Sequence, residues 1–328
     1  MTRITIISGF LGVGKTTFAN LLLDYYMRKG CRTAYIVNEF GKAGVDSDLI
    51  AQKGFQTMDI VGGCICCALR GKIAEALREV VENFTPDRIV FEPSGIFIFE
   101  KFQEILAEPF IKEHCEVDSV ITIVDSTHLT DAMFVEGNFF SNQVAHADML
   151  VLSKLRLYQK GDPSEIVDRI RKLNGRAGIW AKPWDRLTDD NFDALDFGGS
   201  MGVVADDFDD DDGCDHGDHA HHHGHDHSRH DGDEELLHEE LDSITIVPRE
   251  FDDASLEELR RLMRDGVFGK LYRAKGRVIY NGVPKLLQAV FESVDIDENP
   301  PRGECALTFI GDELDEAKIR KYLGAQTR

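Results

Sequence analysis

Several features that would place a chain in a common class are missing here. No apolar run approaches the roughly 20 residues that span a bilayer as a helix. The first strand-like run begins at Ile4, which leaves no room for a signal segment before it. The expectation is a cytoplasmic protein with no membrane partner. Seven cysteines in 328 residues do not make a disulfide framework, and three of them fall within four positions, as thiols or metal ligands do. Basic residues are few, 37 against 59 acidic ones, so the footprint of a nucleic-acid-binding surface is lacking. Even the net charge of −22 is local. Residues 206–240 carry 11 Asp and 4 Glu against one Arg, a balance of −14, and the rest of the chain holds only −8. There is no internal repeat, and nothing in the sequence fixes an oligomeric state.

What is present begins at once. The apolar run Ile4-Thr5-Ile6-Ile7-Ser8 leads into Gly9-Phe10-Leu11-Gly12-Val13-Gly14-Lys15-Thr16-Thr17, and an apolar helical stretch follows. Gly9, Gly14, Lys15 and Thr16 have the spacing G-x-x-x-x-G-K-[ST] between a strand and a helix, the setting a phosphate-binding loop requires. Glycines at 9, 12 and 14 let backbone N–H groups turn inward, and the helix N-terminus adds partial positive charge. Lys15 would reach the β- and γ-phosphates, and the Thr16 hydroxyl, followed by Thr17, would ligate Mg²⁺. The spacing predicts a nucleoside triphosphate site.

Along residues 1–185, strand-like runs at 4–8, 33–38, 88–92, 120–125 and 149–153 alternate with helical segments at 17–29, 71–83, 97–110 and 164–173. This predicts an α/β fold, a mostly parallel sheet with helices on both faces, whose ligands sit beyond the carboxyl ends of the strands. Residues 186–242 read as an acidic, His-rich disordered linker, too polar to bury a core. Residues 243–328 read as a small α+β domain, with strands near 244–247, 271–273, 277–280 and 306–310. Helices are expected at 255–263, with Ser255 as N-cap, and at 314–322.

Three groups carry chemistry. Glu39 and Glu92 stand at strand ends near the phosphate loop, where a carboxylate can hold Mg²⁺ or orient an attacking water; Asp125 is a weaker candidate. Cys64, Cys66 and Cys67 form a C-x-C-C cluster after two glycines, three soft ligands that suit Zn²⁺ or Cu⁺ and leave one position open. The interrupted tract holding His216, His219, His221, His222, His223, His225 and His227 would bind several ions weakly. Buried structural thiols or a redox pair, for the cysteines, and a solvated spacer, for the tract, are the plain alternatives. Cys31, Cys115 and Cys305 read as apolar fillers. Where guanine-specific proteins carry Asn/Thr-Lys-x-Asp, this chain reads Ser153-Lys154-Leu155-Arg156, so the carboxylate for guanine N1 and N2 is missing.

Taken in order, the phosphate loop, Asn38-Glu39, Gly63-Cys64-Ile65-Cys66-Cys67 and Glu92-Pro93-Ser94-Gly95 resemble the CobW-type metallochaperone GTPases, relatives of the urease and hydrogenase accessory GTPases. Phe268-Gly269-Lys270-Leu271-Tyr272-Arg273-Ala274-Lys275-Gly276 and Phe309-Ile310-Gly311 are similar to their C-terminal domain. The resemblance implies a P-loop fold that hydrolyses GTP with Mg²⁺ and passes Zn²⁺ or Co²⁺ to a metal-requiring client protein. Lys15, Glu39 and Glu92 would then be catalytic, Gly9, Gly12, Gly14, Thr16, Thr17, Ser153 and Lys154 would hold nucleotide, and the three cysteines the metal. Two rival readings stay open: a P-loop ATPase or kinase with structural cysteines, and a His-rich metal buffer regulated by nucleotide.

Overall fold

The structure, a computed structural model, describes residues 1–39, 55–61, 67–127, 129, 131–134, 139–158, 162–196, 203–205, 242–290, 293–298 and 303–324. The chain forms two compact units.

The first is an α/β layer. Among the described residues its sheet has eight strands in the order β3-β2-β4-β1-β5-β6-β7-β8, all parallel. They are β1 (Thr2–Gly9), β2 (Thr33–Glu39), β3 (Gln56–Val61), β4 (Arg88–Glu92), β5 (Cys115–Asp125), β6 (Met149–Ser153), β7 (Gly178–Ala181) and β8 (Val203–Ala205). The central strands are buried along their length, as helices over both faces demand. Helix α1 (Lys15–Arg28) buries Phe18, Leu22, Leu23, Tyr25 and Tyr26, and α2 (Cys67–Phe84) buries Ile73, Leu77 and Val80.

Several expectations are corrected. The single helix expected over 97–110 is two, α3 (Phe99–Leu106) and α4 (Pro109–His114). Pro109 keeps Glu108 out of the helical region, at ψ 135°, and so ends one helix and opens the next. The parallel sheet also extends beyond its expected five strands to the short or polar β3, β7 and β8. After α5 (Phe139–Ala145) and α6 (Ser164–Leu173), the stretch expected to begin a disordered linker instead forms α7 (Asp189–Asp196). Its aromatic residue decides this. Phe192 is 3% exposed, stacked on Tyr25 and tilted against Phe18. The acidic residues around it face α1: Asp189 pairs with Arg28, and Asp193 accepts from Lys29 and from the Tyr25 hydroxyl. Those donors, Lys29 first, hold the Asp193 carboxyl below its ordinary range.

The second unit, among the described residues, is an antiparallel sheet in the order β12-β11-β10-β13-β9 with two helices. Its elements are β9 (Asp242–Ile246), α8 (Asp253–Arg264), β10 (Lys270–Tyr280), β11 (Val283–Val290), β12 (Ser293–Asp297), β13 (Ala306–Asp312) and α9 (Glu316–Leu323). Leu256, Leu259 and Leu262 of α8 pack with Leu307, Phe309, Ile319 and Leu323 into one core. The two short strands expected around Ala274-Lys275-Gly276 are one, because β10 is paired on both sides, with β11 and β13. The N-cap of α8 is Asp252 rather than Ser255. Ser255 sits at the third helical position and completes a capping box, its hydroxyl accepting from the Asp252 N–H. Among the described residues no helix is long and apolar enough to cross a membrane.

Candidate functional site

The carboxyl edge of the parallel sheet gathers the polar residues. β1 ends in the loop 9–14, where Gly9, Gly12 and Gly14 have φ of 138°, 75° and 102°. Gly14 is the left-handed N-cap of α1, and a side chain there would also meet the Trp184 ring, 3.2 Å from the Cβ position. α1 therefore opens on a glycine, with no acidic residue in its first turn, and its first N–H groups and dipole favour an anion. Lys15 is buried, and its Nζ donates to the Phe10 carbonyl at 3.2 Å, across the loop.

Glu92 closes β4 beside this loop and is 5% exposed. Thr16 Oγ1 donates to its Oε1 at 2.9 Å, and the Tyr35 hydroxyl of β2 donates to its Oε2 at 2.6 Å. One carboxylate thus links the first turn of α1 to β4 and β2. The turn after it is pressed onto the phosphate loop: a Cβ on Gly95 would lie 2.6 Å from the Leu11 nitrogen, so only glycine fits. Gln143 of α5 pins the same turn, donating to the carbonyls of Gly95 and Phe97 at 3.2 and 3.1 Å. The hydroxyl of Thr16 and the carboxylate of Glu92 are hard oxygen donors, the chemistry Mg²⁺ requires.

The same edge holds buried polar atoms that find no hydrogen-bond partner among the described residues. They are Ser8 Oγ, both side-chain heteroatoms of Asn38, Ser94 Oγ and Ser126 Oγ, at or just beyond the ends of β1, β2, β4 and β5. Buried groups of this kind are ordinarily satisfied. Their clustering where open α/β sheets bind ligands fits a site built for an oxygen-rich guest.

On the other side of the loop lie the ends of β5, β6 and β7. Lys154, at φ 57°, places Nζ 2.5 Å from Asp125 Oδ2, while the other oxygen of Asp125 accepts from the N–H and hydroxyl of Thr127. Asp125 thus organises this corner. Ser153 is buried, its hydroxyl donating to the Val124 carbonyl at 3.3 Å. Beyond β7, Trp184 Nε1 donates to the Leu152 carbonyl at 2.9 Å, and its ring meets Phe18 edge-on. Arg156 pairs with Asp185.

The structure thus brings together Gly9, Gly12, Gly14, Lys15, Thr16, Glu92, Ser153 and Lys154, with the more exposed Thr17 on the first turn of α1. Glu39 ends β2 one residue after Asn38. Its side chain, the Cys67 side chain, Cys64, Cys66 and His216, His219, His221, His222, His223, His225 and His227 lie outside the described residues. Among the described residues no three Cys, His, Asp or Glu side chains form a metal-sized group. Sequence reading missed Tyr35, Gln143, Trp184 and Asp185. Trp184 alone left a local sign, a large aromatic directly after a short apolar run and a proline.

A parallel sheet with a glycine loop, Lys-Thr and a carboxylate at the edge of the neighbouring strand defines a P-loop nucleotide-binding protein. The chain belongs to the CobW/HypB/UreG family: the profile of its nucleotide-binding domain matches residues 3–181, more than half of the chain. The CobW C-terminal domain matches residues 242–326. Among similar curated proteins, the zinc chaperone YjiA of Escherichia coli is 30% identical over 54% of this chain and 56% of its own length. The zinc-regulated GTPase metalloprotein activator 1 of Schizosaccharomyces pombe is 29% identical over 57% of this chain and 47% of its own. The chain thus spans about half the length of these two relatives. The zinc chaperone CobW of Sinorhizobium sp is 27% identical over 98% of this chain and 96% of its own.

Proposed function

We propose that this protein is a GTP-hydrolysing metallochaperone of the cytoplasm, which binds a transition metal, zinc before cobalt, and passes it to a metal-requiring client. The observation that supports this best is the Thr16–Glu92–Tyr35 chain beside Lys15, set in a family whose relatives carry zinc-chaperone and GTPase names. The parallel sheet places the first turn of α1 and the ends of β2 and β4 at one point, so a single ligand can be felt by all three.

In this reading the loop 9–14 and the N-terminus of α1 receive the phosphates, and Lys15 exchanges the Phe10 carbonyl for phosphate oxygens. Thr16 and Glu92 would hold Mg²⁺, which supplies charge neutralisation to the transferring phosphoryl group. Tyr35 keeps Glu92 oriented, and Glu39, at the adjacent strand end, orients the attacking water. Cys64, Cys66 and Cys67 would hold the cargo metal, and the histidine tract would raise its local supply. The sequence linking Glu39 to Cys67 is the natural switch, because a γ-phosphate contact favours one state of a segment over another.

The coupling is reciprocal by linkage, so metal must change GTP affinity by the factor that GTP changes metal affinity. The test measures Zn²⁺ affinity with GTP, GDP or ATP bound, and GTP affinity with and without Zn²⁺, on wild type and Cys66→Ser. The expected result is a GTP-dependent zinc affinity that the variant loses. Zinc and GTP binding that ignore each other would sink the switch, and high-affinity zinc that vanishes only on deletion of residues 206–240 would move the site to the histidine tract.

A further inference from the structure

We propose that Asp185 reads the base of the bound nucleotide, supplying from the loop after β7 the carboxylate that the loop after β6 lacks. The inference rests on the guanine-nucleotide reading above and sharpens it. Position 156, where a guanine-reading Asp is expected, is Arg. The structure shows where that arginine goes: its guanidinium donates to Asp185 Oδ2, 29 residues further along the chain. The side chains of Arg156 and Asp185 are 68% and 62% exposed, so the carboxylate stands on an open rim that a base edge can reach.

The rim is tied to the phosphate loop by short links. Trp184, next to Asp185, bonds the end of β6 through the Leu152 carbonyl and sets its ring against Gly14 and Phe18, the start of α1. Asp185 lies within the short helical turn Trp184–Arg186, directly after the residue that carries that ring. Lys154, fixed by Asp125, has a methylene stem of the kind that covers a purine face. With its phosphates on the N-terminus of α1, a nucleotide extends toward the ends of β6 and β7, as ligands do along the carboxyl edge of such sheets.

The chemistry then selects the base. Guanine presents N1–H and the N2 amino group side by side, two donors that one carboxylate accepts together. Adenine presents the N1 lone pair there, which a carboxylate repels. A carboxylate oxygen has lone pairs for both the base and Arg156, so the arginine is a positioning residue that holds Asp185 in place with a charge-assisted bond.

The full-length protein is tested by competition of GDP, ADP and xanthosine diphosphate against a fluorescent GDP analogue, on wild type, Asp185→Asn and Arg156→Ala. Wild type should rank GDP above both competitors. Asp185→Asn should lose GDP affinity by about ten- to a hundredfold, as loss of a bidentate base contact implies, and gain xanthosine diphosphate by a similar factor. The gain arises because the new amide donates to the xanthine 2-oxo group, and a misfolded protein cannot produce it. Arg156→Ala should narrow the GDP-to-ADP ratio by a smaller factor. If Asp185→Asn keeps the wild-type ranking, the pair is an ordinary surface ion pair and the proposal is wrong. Wild type that binds ADP as tightly as GDP overturns it together with the guanine reading, and absence of binding by any diphosphate overturns the nucleotide reading itself.

Discussion

The two units solve the problem of polar groups in opposite ways. In the antiparallel unit polar atoms mostly satisfy one another, with Arg249 Nε its one buried side-chain atom lacking a partner among the described residues: Asp252 and Ser255 close a capping box, Asp315 caps α9, and the hydroxyls of Thr245 and Thr308 meet across β9 and β13 at 2.9 Å. In the parallel unit, Ser8, Asn38, Ser94 and Ser126 end buried without partners among the described residues. The difference follows from sheet type. Every strand of a parallel sheet ends at the same edge, so polar residues there face one another across a crevice rather than a turn. One unit closes nearly all of its polar groups on itself, and the other gathers open ones at a single edge.

The largest expected effect tests the self-sufficient unit. Phe309 is fully buried at the centre of its core, and Phe309→Ala should cost about 3–5 kcal/mol, as large-to-small core changes do. Denaturant unfolding of the full chain, followed alongside nucleotide affinity, checks it. A loss below about 1 kcal/mol would mean that the core collapses around the gap.

Next comes the unit built for a guest. Lys15→Ala should lower GTP affinity by about a hundredfold or more, since it removes a charged contact from a buried phosphate site. The apo protein should lose far less than that in stability, because the Lys15–Phe10 carbonyl contact is a single hydrogen bond of modest net worth. Calorimetric titration with GTP and Mg²⁺, paired with a melt, separates the two. A variant that binds normally would break the contrast between the units.

Glu92→Gln comes third. The amide keeps the size of the side chain but removes the charge that accepts from both Thr16 and Tyr35. Turnover should fall by about ten- to a hundredfold, with a smaller change in GDP affinity, as expected when one preorganised charge is lost at a reacting centre. A malachite-green assay beside a GDP titration reads both. Equal losses in the two would reduce Glu92 to a binding residue.

These residues also show how far the sequence could be read. The phosphate loop was legible because its geometry is local: eight consecutive positions, Gly9 to Thr16, carry it. The core strands were legible because burial on two faces leaves an apolar run. Strand β3, with Gln56, Thr57 and Asp59 in six residues, sits at the sheet edge and lacks that signature. α7 went unread because one phenylalanine among acidic residues decides it, and only the position of Tyr25 shows why. The Tyr35–Glu92 and Arg156–Asp185 contacts join residues 57 and 29 apart, which no local pattern announces. Glu92 was found because it ends a strand; Asp185 was not, because it belongs to a loop that only the fold brings beside β6.

The smallest effect comes from a cysteine that sequence reading took for an apolar filler. Cys115 opens β5, is 5% exposed, and burial pushes its thiol up to about 11. An unfolded thiol ionises near 8.5. The folded form therefore holds a proton that the unfolded chain releases, and stability from this group is intact below about pH 8.5 and declines as pH rises toward the folded value. The sign is opposite to that of the Asp252 cap, whose carboxyl is lowered by the Ser255 N–H and hydroxyl and whose contribution is lost as pH falls through the acid range. Native protein treated with iodoacetamide at pH 8 should leave Cys115 unmodified by peptide mass spectrometry, while the half-buried Cys31 and Cys305 react first. Cys115→Ala should flatten the alkaline side of the stability profile without moving its acid side. Early labelling of Cys115 would show that the amino end of β5 opens more readily than its packing implies, and would weaken the view of β5 as a rigid support for Asp125.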